Sequence, residues 1–258
     1  MDQDDNSRRN FLVLGVTGVG AAILTACGTK SAANSPSTSN SNGNSATADE
    51  KKPQPDAREV TAVEDLMREH GILRRALLVY SETAMRLRKN PADVSTAALQ
   101  KTAKLFRTFG EDYHEKKLEE AYIFPRIKEK SADSEAARYV DILIAQHNRG
   151  RELTELIISA TNGAKMSANA TEFANMLDAF TRMYQHHAAR EDTIIFPAWK
   201  ELVTSDEYDE LNDKFEDIEH EQFGADGFED AVKQISEIEA SLNLADIAQF
   251  TAPASSAK

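Results

Sequence analysis

The chain has 258 residues, 41% of them hydrophobic and 28% charged, which is enough to bury one sizeable core and too little to demand two. Its formal net charge of −13 disfavours nucleic acid as a partner, because phosphate binding needs clustered Lys and Arg. A single cysteine, Cys27, excludes an intramolecular disulfide and a cysteine-rich metal site, so any metal has to be held by His and carboxylates.

The N-terminal residues Ser7, Arg8, Arg9, Asn10, Phe11 and Leu12 set an Arg pair ahead of an uncharged run from Phe11 to Cys27. That run is too short to span a bilayer comfortably and reads as a signal sequence. The Arg pair followed by Phe and Leu resembles the twin-arginine export signal, which implies a route for proteins that are already folded. Leu24-Thr25-Ala26-Cys27 resembles a bacterial lipobox, which implies that Cys27 is acylated and begins the mature protein. Residues 28–56 are dominated by Ser, Asn, Ala, Thr and Pro and cannot bury enough apolar surface to offset ordering. They are expected to be a flexible tether, leaving the folded part held at a membrane of the cell envelope by lipid alone.

From Val60 onward apolar residues recur every three or four positions, Gly and Pro are scarce and strand-like alternation is absent, so the domain is expected to be all-α. Turn formers cluster at Asn90-Pro91, around Ser131 to Ser134, at Asn162-Gly163, at Thr204-Ser205 and at Gly224 to Gly227. They predict long helices over about 60–89, 94–130, 134–161 and 170–201 and two shorter ones beyond. Short connections suit a helical bundle.

The halves repeat weakly. Asp65 to His70 parallels Ile142 to His147, and Tyr113-His114, Glu119 and Ile123-Phe124-Pro125 parallel His186-His187, Glu191 and Ile195-Phe196-Pro197. At about 100° per residue, His187 and Glu191 fall on one stripe with Phe173, Met176, Phe180, Tyr184 and Ile194. His70 aligns with Val63, Leu66, Leu73 and Leu77; His147 with Val140, Leu143, Thr154 and Ile157; His114 with Leu99, Ala103, Phe106 and Gly110. A lone inward His is usually a hydrogen-bonded core residue. One from each of four helices, with two inward Glu, is a costly pattern for packing alone and points to coordination. Nitrogen and oxygen donors without sulfur suit iron or another first-row transition metal.

The strings Asp112-Tyr113-His114-Glu115, Glu119-Glu120 with Ile123-Phe124-Pro125-Arg126, Gln146-His147-Asn148-Arg149-Gly150-Arg151 and His187-Ala188-Ala189-Arg190-Glu191-Asp192 resemble the hemerythrin-like, His-His-Glu cation-binding family. That resemblance implies an antiparallel up-and-down four-helix bundle over 57–203, with 204–258 as two short C-terminal helices and a tail. It further implies two non-haem iron ions with an oxo or hydroxo bridge, His70, His114, His147 and His187 as terminal ligands, and Glu119 and Glu191 as the bridging pair.

Two departures from the family pattern stand out. His114 and Glu119 are five residues apart where His187 and Glu191 are four, so a regular helix would turn Glu119 away and drive Lys117 inward. A π-bulge between them is expected to bring Leu118 and Glu119 inward; in a regular helix Glu115 is the rival carboxylate. Respiratory hemerythrins also carry a fifth His, four residues after the first on the third helix, where Arg151 stands here. His186 is the alternative to His187, which the apolar stripe favours.

His220 is expected to be solvated or to cap, Trp199 to pack, and Tyr113 and Tyr184 to pack, with hydrogen bonds donated to the site as their alternative. Phe223 to Phe228 and Leu244 to Phe250 are expected to lie over the end of the bundle. The implied functions are a metal-binding sensor, scavenger or carrier for O2, NO or iron, or a di-iron oxidase or peroxidase. A metal-free docking module is disfavoured by the inward His and Glu. No protein partner is indicated.

Overall fold

The computed structural model describes residues 60–163, 168–224 and 226–254. The segments expected to be a signal sequence, a lipobox at Cys27 and a tether lie outside these residues. The described residues are helical, with no strand among them. Six helices follow one another: α1 (Ala62–Lys89), α2 (96–130), α3 (Glu135–Ala160), α4 (170–201), α5 (Ser205–Phe223) and α6 (Gly227–Ser241). Each N-terminus is capped by a short polar side chain that accepts from an orphan backbone N–H, from Thr61, Ser95, Ser134, Asn169, Thr204 and Asp226 in turn. At Thr204 the bond is reciprocal, since Glu207 reaches back to the cap. Gly224, at φ 73°, supplies the left-handed residue that ends α5.

The long helices α2 and α4 are not uniform. Residues Phe106–Ile123 of α2 have the wider i to i+5 hydrogen bonding, and so do Glu191–Ile195 of α4. The expected bulge is therefore present as a longer widened stretch, and a second one was not anticipated. Both end alike: the N–H of Phe124 bonds the carbonyl of Glu119, and that of Phe196 the carbonyl of Glu191. The next residue is Pro125 or Pro197, which has no N–H and clashes with a carbonyl four residues back. A widened turn ahead of the proline takes up that conflict. It also shifts the register, so that Ile195 rather than Ile194 is fully buried.

α1 packs most extensively along α4, α2 packs on α3, and α1 with α2 and α3 with α4 also touch. Beside the polar cluster, Tyr80, Phe106, Phe180 and Tyr184 interlock with ring centroids 4.9–6.2 Å apart. The C-terminal helices are not confined to one end. Their contacts follow α1 along its length: Tyr208 accepts from Val63 N–H, Phe228 lies under the Arg68 guanidinium, Arg75 pairs with Glu239, and Arg86 donates to the Leu242 carbonyl. Phe223 meets Phe109 and Tyr113 of α2, while Trp199 stacks on Phe215 at 5.9 Å as the expected packing residue. Ile247 and Phe250 of the closing segment are exposed, against expectation. No described helix is long and apolar enough to cross a membrane.

Two helical glycines separate packing from propensity. A Cβ on Gly150 would overlap the Tyr184 hydroxyl, whereas one on Gly71 meets nothing within 4 Å. Alanine gains about 1 kcal/mol over glycine in a helix, and overpacking costs about 1–3 kcal/mol. In urea unfolding, Gly71→Ala is expected to stabilise the domain and Gly150→Ala to destabilise it.

Candidate metal centre

Four helices each deliver one buried imidazole, and the imidazoles meet in pairs. The Nε2 atoms of His70 (α1) and His114 (α2) are 3.0 Å apart, and those of His147 (α3) and His187 (α4) are 2.9 Å apart. Glu119 and Glu191, both fully buried, lie between the pairs. Glu119 turns Oε1 to His114 at 3.3 Å and Oε2 to His147 at 3.4 Å. Glu191 turns Oε2 to His70 at 3.4 Å and Oε1 to His187 at 2.9 Å and His147 at 3.8 Å. Each carboxylate thus spans both histidine pairs. The widened turn puts Glu119 here, with Leu118 buried beside it and Lys117 kept at the half-buried edge.

The outward Nδ1 of each ring meets an acceptor: Asp192 for His70 at 2.7 Å, Glu69 for His114 at 2.6 Å, Glu120 for His147 at 2.8 Å and the Gln146 amide oxygen for His187 at 3.0 Å. These oxygens can only accept, so Nδ1 carries the proton and a neutral ring presents a lone pair at Nε2. Two lone pairs then face each other in each histidine pair. All four carboxylate oxygens of Glu119 and Glu191 lack a hydrogen-bond partner. Such a buried set is costly unless positive charge lies among it. The donors fit a cation in two positions, one by His70, His114 and Glu119 and one by Glu119, His147, His187 and Glu191.

The field has the same preference. Burial opposes charge on His114 and His147, yet the neighbouring carboxylates, Glu119 for the first and Glu115 for the second, hold both well above the ordinary histidine value. Burial likewise resists charge on Glu191, and His187 outweighs it to hold that carboxyl well below its usual range.

The contacts recur between the halves. Phe196 stacks on His70 and Phe124 on His147, at 5.4 and 5.6 Å. Asp192 is paired to Arg74 and Glu120 to Arg151, each Arg one turn after the His of its helix. Residues 61–199 match the model for the hemerythrin HHE cation-binding domain. The chain belongs to the hemerythrin HHE family. Among its relatives are uncharacterized proteins of Mycobacterium tuberculosis and Mycobacterium bovis, 38% identical over 250 residues that cover 95% of this chain and 90% of theirs. No solved structure matches it.

Within this hemerythrin-family chain, the structure brings together His70, His114, Glu119, His147, His187 and Glu191. His186 is exposed and apart from them. His220 is exposed too, its carbonyl accepting the capping N–H of Gly224. The tyrosines do more than pack: Tyr113 donates to Glu69 at 3.0 Å and Tyr184 to Glu115 at 2.7 Å. Arg151, in place of a fifth His, bonds Glu120 at 2.6 Å and Glu115 at 3.2 Å. Glu115 is therefore buried by the site without facing the Nε2 atoms. Sequence reading missed the outer partners Glu69, Glu120, Gln146 and Asp192, although each directly adjoins a candidate ligand and the pattern repeats between halves. A cavity of about 10 Å³, room for about one water molecule, opens against His70 and His114 with Leu73, Leu77, Tyr184 and Ala188 in its walls.

Glu111 is buried on α2 and accepts from the Thr154 hydroxyl at 2.6 Å. Burial pushes its carboxyl up to about 7, against the Thr154 bond and Arg107 and with help from the Glu115 charge. The unfolded chain releases this proton near 4.5. The buried group therefore destabilises the fold progressively from about pH 4.5 upward and in full above about 7. Glu111→Gln keeps an oxygen for Thr154. In urea unfolding it is expected to change little near pH 4.5 and to stabilise above about pH 8, by at most roughly 3 kcal/mol.

Proposed function

We propose that this protein is a non-haem di-iron binding protein of the cell envelope that takes up O2, NO or iron as sensor, scavenger or carrier. The observation that carries it is the double-facing placement of Glu119 and Glu191, each with one oxygen toward each histidine pair and neither with a hydrogen-bond donor. His70 and His114 would hold one iron, His147 and His187 the other, and the two carboxylates would be shared. Iron, when bound, supplies a redox-active centre for small diatomic ligands. The chain's own residues orient the imidazoles through their Nδ1 bonds, exclude water with Phe124, Phe196, Leu73 and Leu77, and keep the centre buried. In this reading the four long helices form the antiparallel up-and-down bundle over 57–203, with residues 204–258 as its C-terminal extension.

A second reading, a di-iron oxidase or peroxidase, is favoured by one feature. Tyr184 lines the small cavity and donates to Glu115, which Arg151 links toward the half-buried edge. Such a chain offers a place to hold a proton beside the centre. Reversible spectral change on cycling O2 or NO supports the binding protein; sustained turnover of peroxide with a reductant supports the enzyme.

Protein purified after native export is expected to carry close to two iron ions per chain by elemental analysis. Glu119→Ala and Glu191→Ala should each lose most of that iron, and His187→Ala should lose far more than His186→Ala. A full chain that retains none and takes up none anaerobically would rule the centre out.

The reading of residues 1–56 as export signal, lipid anchor and tether is part of the same proposal. Cys27→Ser is expected to move the protein from the membrane fraction to the soluble fraction, and replacing Arg8 and Arg9 together by Lys to stop export. An unchanged distribution for both variants would remove the anchor.

A further inference from the structure

Three of the four Nδ1 partners are carboxylates, and the fourth is the neutral amide of Gln146. The repeat between the halves shows this to be a replacement. Glu69 precedes His70 and reaches the imidazole on α2; Gln146 precedes His147 and reaches the imidazole on α4. The other two partners match closely, since Asp192 is neutralised by Arg74 and Glu120 by Arg151. Glu115 adds a carboxylate 3.9 Å from His147 Nδ1, but its oxygens are taken by Arg151 and Tyr184 and it bonds no imidazole. Among the groups that hold Nδ1, what remains unequal is Glu69 against Gln146.

Resting on the dimetal reading above, we infer that Gln146 makes the two metal positions chemically unequal, so that the His70–His114 position binds its metal first and more tightly than the His147–His187 position. An Nδ1–H bond to an ionised carboxylate fixes the ring and raises the basicity of Nε2. An amide oxygen accepts the same bond with only a partial charge, and a flipped amide presents donors in its place. His187 is accordingly the weakest donor of the four, and the position it serves fills second.

The test is an anaerobic titration of the metal-stripped full chain with Co(II) alone against a competing chelator, followed by ligand-field absorption. The wild type is expected to bind in two resolved steps. Gln146→Glu is expected to tighten the second step by about 10–100-fold and leave the first unchanged, and Glu69→Gln to weaken the first by a similar factor. Far-UV circular dichroism identifies any variant that has lost its helices, and the isosteric Glu69→Gln keeps the test open should Gln146→Glu fail to fold. Equal steps in the wild type, or a Gln146→Glu protein in which the first step tightens or neither moves, would overturn the inequality. A wild type that binds no Co(II) would instead overturn the metal centre itself.

Discussion

Two carboxylates without a hydrogen-bond partner, buried among four imidazoles whose Nδ1 atoms are engaged outward, are the constraint from which the rest of the structure follows. Neutral rings whose Nδ1 protons are committed outward offer Glu119 and Glu191 no donor. Positive charge among them relieves the cost of that burial. Four separate helices therefore bring their side chains to one place. A closely packed interior with Phe124 and Phe196 stacked on two of the rings is the means of holding them there.

The second theme is a duplication that is followed at the centre and broken around it. Each half places an acid-bearing pair, Glu119-Glu120 or Glu191-Asp192, so that the first residue faces the histidines of both halves and the second holds a ring of the other half. Each then widens its helix before Ile-Phe-Pro. The breaks are local. One extra residue separates His114 from Glu119, and the longer widened stretch in α2 absorbs it; Gln146 replaces the acid that Glu69 supplies; Glu115 and Tyr184 are joined on one side only. In the proposed dimetal centre, symmetric ligands with asymmetric surroundings would give two positions that need not behave alike.

Much of the fold was legible because it depends on local physics. The breaks at Asn90, Ser134, Thr204 and Gly224 are caps and left-handed turns, written in the residues that make them. The inward stripes of His70, His114, His147 and His187 follow helical periodicity, and the one irregular spacing, His114 to Glu119, pointed to a widened helix. Less legible was the path of α5 and α6, since an amphipathic helix states which face it buries and not against which partner. The tail's course along α1, through Val63, Arg68, Arg75 and Arg86, depends on contacts between residues more than a hundred positions apart.

By itself, then, the sequence determined six capped helices, an inward set of four histidines and two glutamates, and the absence of sulfur from that set, because periodicity and residue chemistry are local properties. Only the tertiary structure decided that Glu119 rather than Glu115 faces the imidazoles, that His186 stays outside, and that Asp192, Glu69, Glu120 and Gln146 hold the rings. Those choices turn on small rotations of helices about their own axes. Rotation is set by how neighbouring helices pack, which no single segment contains.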